Sequence, residues 1–121
     1  MDIVIISARS KHKLPYQIYV GRPKALGNPF THLENIPNTT KVETVEKAVE
    51  MYGEWLDKKL DEKDPLVRNA LNKLYVLATK HRIYLECWCM DELNPSKRDH
   101  ICHAMIIRNK LLSVKNNIVN P

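Results

Sequence analysis

The sequence contains no long apolar run, only three cysteines and only three glycines. No apolar stretch approaches the roughly 18–20 residues that a membrane-spanning helix needs. Residues 1–7 also lack the basic region and cleavage site of a secretory signal. We therefore expect a cytoplasmic protein with no membrane contact. Three cysteines cannot all pair with one another, and cytoplasmic thiols stay reduced, so a disulfide framework is not expected.

Two familiar phosphate-binding signatures are also absent. The chain has neither the Gly-x-Gly-x-x-Gly loop of dinucleotide-binding proteins nor the phosphate loop that ends in Lys-Ser or Lys-Thr. What is present suffices for one folded domain, because the 121 residues are 44% hydrophobic and 27% charged. We predict a single domain over residues 1–121, with residues 114–121 frayed.

The net charge of +5 is concentrated at the two ends of the chain. Residues 1–24 hold five basic residues and one acidic residue, and residues 97–121 hold the same numbers. The middle of the chain is weakly acidic. Basic ends that meet in space attract an anion, which would be a phosphate-bearing small molecule or a nucleic-acid backbone. The competing interpretation is a soluble surface with exposed basic ends that bind nothing specific.

Hydrophobic periodicity predicts strands that alternate with helices. The predicted strands are residues 2–7, 17–20 and 82–89, and the predicted helices are residues 41–63, about 65–80 and about 100–113. Thr40 with Glu43 resembles a capping box for the first helix, Asp64 is expected to cap the second, and Asp99 the third. The second helix is expected to bury a face formed by Leu66, Ala70, Leu71, Leu74, Leu77 and Ala78. This order favours a small α/β domain of two or three layers, with a short, mostly parallel sheet flanked by helices.

The first candidate site is a loop over residues 21–30. Gly21 and Gly27 permit close backbone approaches, while two prolines stiffen the loop around Arg22 and Asn28. The planar fork of an arginine grips an anion at two points. We predict that Gly21, Arg22, Gly27 and Asn28 bind an anionic ligand, with Arg9 as a second anion contact. The alternative is a turn with a surface arginine.

The second candidate site combines Cys87 and Cys89 with Cys102 and His103. Strand alternation puts the first two on one face, and the other two are expected in the first turn of the last helix. One interpretation is a zinc site with these four ligands, although adjacent residues diverge by about 100° around a helix axis. Another makes Cys102 a nucleophile activated by the helix N-terminus, with His103 transferring a proton. In the third, the cysteines fill the core and His103 hydrogen-bonds a ligand.

These two motifs together resemble a known family. Gly21-Arg22-Pro23 with Gly27-Asn28-Pro29-Phe30, and Cys87-Trp88-Cys89 with Cys102-His103, are similar to domain of unknown function 4326, found in bacteriophages and bacteria. The resemblance spans about residues 17–112. It implies a small Rossmann-like α/β protein, encoded by a phage, in which the two motifs meet at one site.

The sequence therefore predicts a protein that binds a nucleotide or a related anionic metabolite between the 21–30 loop and the start of the last helix. The binding residues would be Gly21, Arg22, Gly27, Asn28 and Arg9, and Cys102 and His103 would be catalytic if the protein is a hydrolase or transferase. One alternative is a non-enzymatic accessory protein that binds a host protein or nucleic acid. The other is a zinc-stabilised module. The leading hypothesis requires no cofactor.

Overall fold

The structure is a computed structural model that describes residues 1–7, 13–87 and 102–113. Its elements, in chain order, are β1 (Ile3–Ser7), β2 (Gln17–Tyr19), β3 (Phe30–Thr31), β4 (Thr40–Lys41), α1 (Val45–Asp61), α2 (Pro65–Lys80), β5 (Ile83–Cys87) and α3 (His103–Ser113). The architecture is a small α/β fold, as the sequence predicts. None of the described helices is both long and apolar enough to cross a membrane.

The main sheet has three parallel strands in the order β1-β5-β2. Ile3 lies opposite Ile83 at one end of the β1–β5 pair, and Ser7 lies opposite Cys87 at the other. At the start of these two strands, a hydrogen bond from Arg82 to the carboxylate of Asp2 raises the pKa of the guanidinium above its ordinary value. Because all three strands run the same way, their carboxyl ends share one edge, where ligands of α/β folds gather.

The central strand β5 shows the alternation predicted from its sequence. Ile83, Leu85 and Cys87 are fully buried, whereas Tyr84 and Glu86 are half-buried on the opposite face. The buried face joins the hydrophobic core together with residues from α1, α2 and α3, which also contact one another. The core therefore lies between the sheet and the three helices.

Helix α1 begins four residues later than its sequence predicts. Its N-cap is Thr44, whose side chain accepts a hydrogen bond from the backbone N–H of Lys47. The prediction of a Thr40 cap is wrong because Thr40 lies in β4. Its N–H donates to the carbonyl oxygen of Pro29. Strands β3 and β4 form a parallel pair with only two residues in each strand. Two residues are too few to show the alternation that predicts a strand from sequence.

Helix α2 has the predicted cap but not the whole of the predicted buried face. The carboxylate of Asp64 accepts hydrogen bonds from the N–H groups of Leu66 and Val67, and Pro65 occupies the first turn. The prediction that Leu66 is buried is wrong, since 72% of its surface is exposed. Val67, at 3% exposure, takes its place in the core.

Helix α3 begins at His103, so Cys102 lies immediately before the helix rather than in its first turn. The backbone carbonyl of Cys102 accepts a hydrogen bond from the N–H of Met105, which closes the first turn. The predicted Asp99 cap, the predicted loop over residues 90–99 and the predicted frayed tail lie outside the described residues.

Candidate functional site

Residues 21–28 form a loop that hydrogen-bonds to itself. The N–H of Lys24 donates to the carbonyl oxygen of Gly21 at 2.9 Å, and the N–H of Gly27 donates to that of Lys24 at 2.8 Å. The Arg22 side chain closes the loop, because its Nη1 donates to the carbonyl oxygen of Asn28 at 2.7 Å. The Arg22–Pro23 peptide bond is cis. The loop therefore has a defined shape that depends in part on the arginine predicted to bind the ligand.

The two glycines of the loop occupy places where no Cβ fits. A Cβ on Gly27 would lie 2.8 Å from the backbone nitrogen of Arg22, and one on Gly21 would collide with the side chain of Tyr19. The Tyr19 hydroxyl in turn donates to the carbonyl oxygen of Arg22 at 2.7 Å. Gly27 therefore permits the close backbone approach that its pattern predicts, whereas Gly21 is crowded by the end of the Tyr19 side chain.

Two buried side chains anchor the loop to helix α1. The Asn28 side chain donates to the carbonyl oxygen of Ala48 at 3.3 Å and accepts from the N–H of Phe30 at 2.9 Å. The hydroxyl of Tyr52, a fully buried residue of α1, donates to the carbonyl oxygen of Leu26 at 2.7 Å. The amide of Asn28 therefore holds the backbone in place.

His103 connects the two motifs that the sequence analysis singled out. Its Nε2 lies 2.8 Å from the carbonyl oxygen of Val20, the residue before the loop. Its ring also packs edge-on against Tyr52, with 5.2 Å between ring centroids. The start of α3 and the base of the loop are therefore in direct contact, so the two motifs share one region of the molecule.

Beneath this contact lies a buried cluster of Cys87, Cys102 and His103. The two sulfur atoms are 2.7 Å apart, and Cys102 Sγ is 4.0 Å from His103 Nδ1. The three donor atoms lie within 4.8 Å of one another. The divergence expected for Cys102 and His103 does not keep their donor atoms apart, and Cys102 lies before the helix rather than within it.

The hydrogen bond to Val20 fixes the position of one hydrogen on the His103 ring. A carbonyl oxygen only accepts hydrogen bonds, so Nε2 carries the hydrogen, and in the neutral ring Nδ1 keeps its lone pair. That lone pair belongs to the nitrogen nearer the Cys102 sulfur. The cluster is closed to solvent, with 0% of Cys87, 1% of Cys102 and 2% of His103 exposed. Its chemistry is that of a thiol pair or of a set of soft metal ligands.

Next to residues 24–26 of the loop, a groove of about 730 Å³ runs between strand β2 and helix α2. Its apolar lining includes Ile18, Val20, Leu26, Leu66, Ala70, Leu74 and Leu77, and its polar lining consists of Gln17, Tyr19, Lys24, Asn69 and Lys73. We call this the β2–α2 groove. Among the described residues that line it are two lysines and no carboxylate. The groove is adjacent to the carboxyl end of β2, and it shares Val20 with the His103 contact.

A second depression of about 500 Å³ lies against residues of β2 and β5 that face away from the helices. Lys13, Gln17 and Glu86 are among its lining residues, and the Gln17 amide donates to the Glu86 carboxylate. The carboxylate makes this depression less favourable for an anion than the β2–α2 groove.

The structure brings most of the predicted site residues together in two adjoining groups. Gly21, Arg22, Gly27 and Asn28 form the loop, and Cys102 with His103 lies behind it. None of these six lines the β2–α2 groove, which takes Lys24, Ala25 and Leu26 from the same loop. Arg9 and Cys89 lie outside the described residues.

Sequence reasoning missed the contribution of helix α2. Lys73 and Asn69 line the groove, but both read as ordinary exposed positions of an amphipathic helix. A signal was present in Leu66, an apolar residue of α2 that the core leaves exposed. An exposed apolar residue beside the buried face of a helix indicates a wider apolar surface, but it does not indicate which part of the molecule faces that surface.

Comparisons with curated proteins and with solved structures yield no significant match to this chain. A family model does match, and it covers residues 5–113. That span includes the loop, the β2–α2 groove and the buried cluster, so the site described above lies within the family's domain. The chain belongs to DUF4326, a domain of unknown function.

Proposed function

We propose that this protein binds a nucleotide or a related anionic metabolite in the β2–α2 groove. The observation that carries the proposal is the lining of the groove, which combines an apolar surface with Lys24 and Lys73 and contains no described carboxylate. A volume of about 730 Å³ lies within the range of small-ligand sites. An apolar base or sugar face would lie against Leu26 and Leu74, and the lysines would neutralise a phosphate.

The 21–28 loop has a positioning role in this proposal. Lys24 belongs to the loop. Hydrogen bonds from Arg22 and from Tyr52 of α1 hold the loop in place. His103 of α3 holds Val20, the residue before the loop. Preorganisation of this kind reduces the ordering cost of ligand binding. The remaining N–H groups of the exposed Arg22 guanidinium are a further anion contact at the rim.

The proposal extends to catalysis as hydrolysis or transfer at a glycosidic or phosphoryl bond. In the absence of a bound metal, Cys102 and His103 remain the predicted catalytic pair. Since both are buried behind Val20, they reach a ligand only if the loop moves. The proposed setting is the cytoplasm, that of a bacterial host if a phage encodes the protein.

Calorimetric titration with a panel of nucleoside monophosphates tests the binding proposal. We expect at least one of them, for example AMP, to bind more tightly than its uncharged nucleoside. Lys73→Ala should weaken this binding about 10- to 150-fold, because a hydrogen bond to a charged group contributes about 1.5–3 kcal/mol. Lys80→Ala is the matched control, because Lys80 is also an exposed lysine of α2 but does not line the groove.

Two results would contradict the proposal. One is the absence of binding across the panel. The other is an equal affinity of wild type, Lys24→Ala and Lys73→Ala for the monophosphate, which would place the ligand elsewhere.

The alternative proposal is an accessory protein that binds nucleic acid or a host protein through its basic ends. Of the basic residues in those ends, the described ones are Lys13, Arg22, Lys24, Arg108 and Lys110, and Lys110 forms an ion pair with Asp57. Binding to DNA or RNA that falls steeply with salt concentration would favour this alternative, because it reports several neutralised phosphates.

A further inference from the structure

We propose that Cys87, Cys102 and His103 form a binding site for a soft divalent cation, which we take to be zinc. The ligand atoms are the two cysteine sulfurs and His103 Nδ1. These three atoms lie within 4.8 Å of one another, a separation at which one ion can sit about 2–2.5 Å from each of them. The site is distinct from the β2–α2 groove, because none of the three residues lines that groove.

The orientation of His103 carries the proposal. The ring donates its Nε2–H to the carbonyl oxygen of Val20, which leaves Nδ1 with its lone pair near the Cys102 sulfur. Histidine ligands of metals almost always donate their second ring N–H to a carbonyl or a carboxylate, because that bond fixes the tautomer and the direction of the ring.

The chemistry of the donor set selects the metal. Two thiolates and an imidazole favour zinc over magnesium or calcium, which take oxygen ligands. Binding of the ion removes a proton from each thiol. Three protein ligands also leave a fourth position for a water or another donor.

The separation of the two sulfurs, 2.7 Å, is compatible with either of two reactions. A disulfide requires them to approach to about 2.05 Å, whereas a zinc ion with bonds of about 2.3 Å holds them roughly 3.8 Å apart. A disulfide uses only the two sulfurs, whereas an ion uses the two sulfurs and His103 Nδ1 together. We therefore propose the ion, and the disulfide is an outcome of the test.

Three measurements on the purified full-length protein test this site. Elemental analysis should find about one zinc per chain. Replacement of the zinc by cobalt should produce the intense visible bands of a tetrahedral ion together with a sulfur-to-metal charge-transfer band. Titration of the denatured, chelated but unreduced protein should count three thiols, since the chain has three cysteines.

Variants locate the ion. Cys102→Ser and His103→Gln should each lose most of the bound zinc and the cobalt spectrum, although a glutamine still offers an N–H to Val20. Ile107→Val is the matched control, since it removes one methylene from the buried face of the same helix and should keep the full metal content.

Several results would overturn the proposal. Zinc-free protein that fails to acquire zinc or cobalt would do so, and so would a count of one thiol, which reveals a disulfide. Retention of the cobalt spectrum by both variants would place the metal at other residues. The wild-type measurements decide the question even if a variant does not fold.

Discussion

At the scale of single residues, Tyr52 links the two candidate sites. Its ring is fully buried in the hydrophobic core. The structure adds a hydroxyl that holds Leu26 of the groove and a ring edge that contacts His103. One side chain therefore supports both the groove wall and the buried cluster.

Removing only that hydroxyl tests the link. Tyr52→Phe should lower the free energy of unfolding by about 1–3 kcal/mol, because it leaves the buried Leu26 carbonyl without its donor. The measurement is urea denaturation, with Tyr16→Phe as the control, since 44% of Tyr16 is exposed. We expect the control to change stability by less than about 0.5 kcal/mol. Equal stability of Tyr52→Phe and wild type would show that the hydrogen bond contributes nothing.

At the scale of elements, the start of α1 shows why local patterns mislead. Thr40 and Thr44 both precede polar helix-like sequence, and Thr40 also has a glutamate three residues later. The structure chooses Thr44, because residues 40–42 hydrogen-bond with the β3 segment instead. The competing partner, residues 29–31, lies outside the few residues that a capping rule considers, so the rule could not take it into account.

The two threonines provide a direct comparison. Thr44→Ala should lower the free energy of unfolding by about 0.5–2 kcal/mol, because the N–H of Lys47 loses its acceptor. Thr40→Ala should cost less than about 0.5 kcal/mol, since its exposed side chain caps no helix. Chemical denaturation of both variants gives the comparison. A larger loss of unfolding free energy for Thr40→Ala than for Thr44→Ala would show that Thr40 caps α1, which would contradict this account.

Other elements were predictable because one local signal sufficed. The alternation of residues 83–87 predicts the face that β5 buries, and Asp64 before Pro65 predicts the start of α2. The contact between the two motifs also agrees with the sequence analysis, through His103 and Val20. The β2–α2 groove was not predictable, because it depends on where α2 lies relative to an edge strand far away in sequence.

At the scale of the whole molecule, the fold places one solvent-facing groove and one closed cluster on either side of Val20. The side chain of Val20 lines the groove, and its carbonyl accepts the hydrogen bond from His103. The groove and the cluster therefore share one residue. The groove is where we propose that an anion binds.

Mapping of amide chemical shifts by NMR, during titration with a nucleoside monophosphate that binds, tests this account most directly. We predict saturable shifts that concentrate at the residues that line the β2–α2 groove, which fall within residues 17–26 and 66–77. Saturable shifts confined instead to residues around Lys13 and Glu86, on the opposite face of the sheet, would contradict the account.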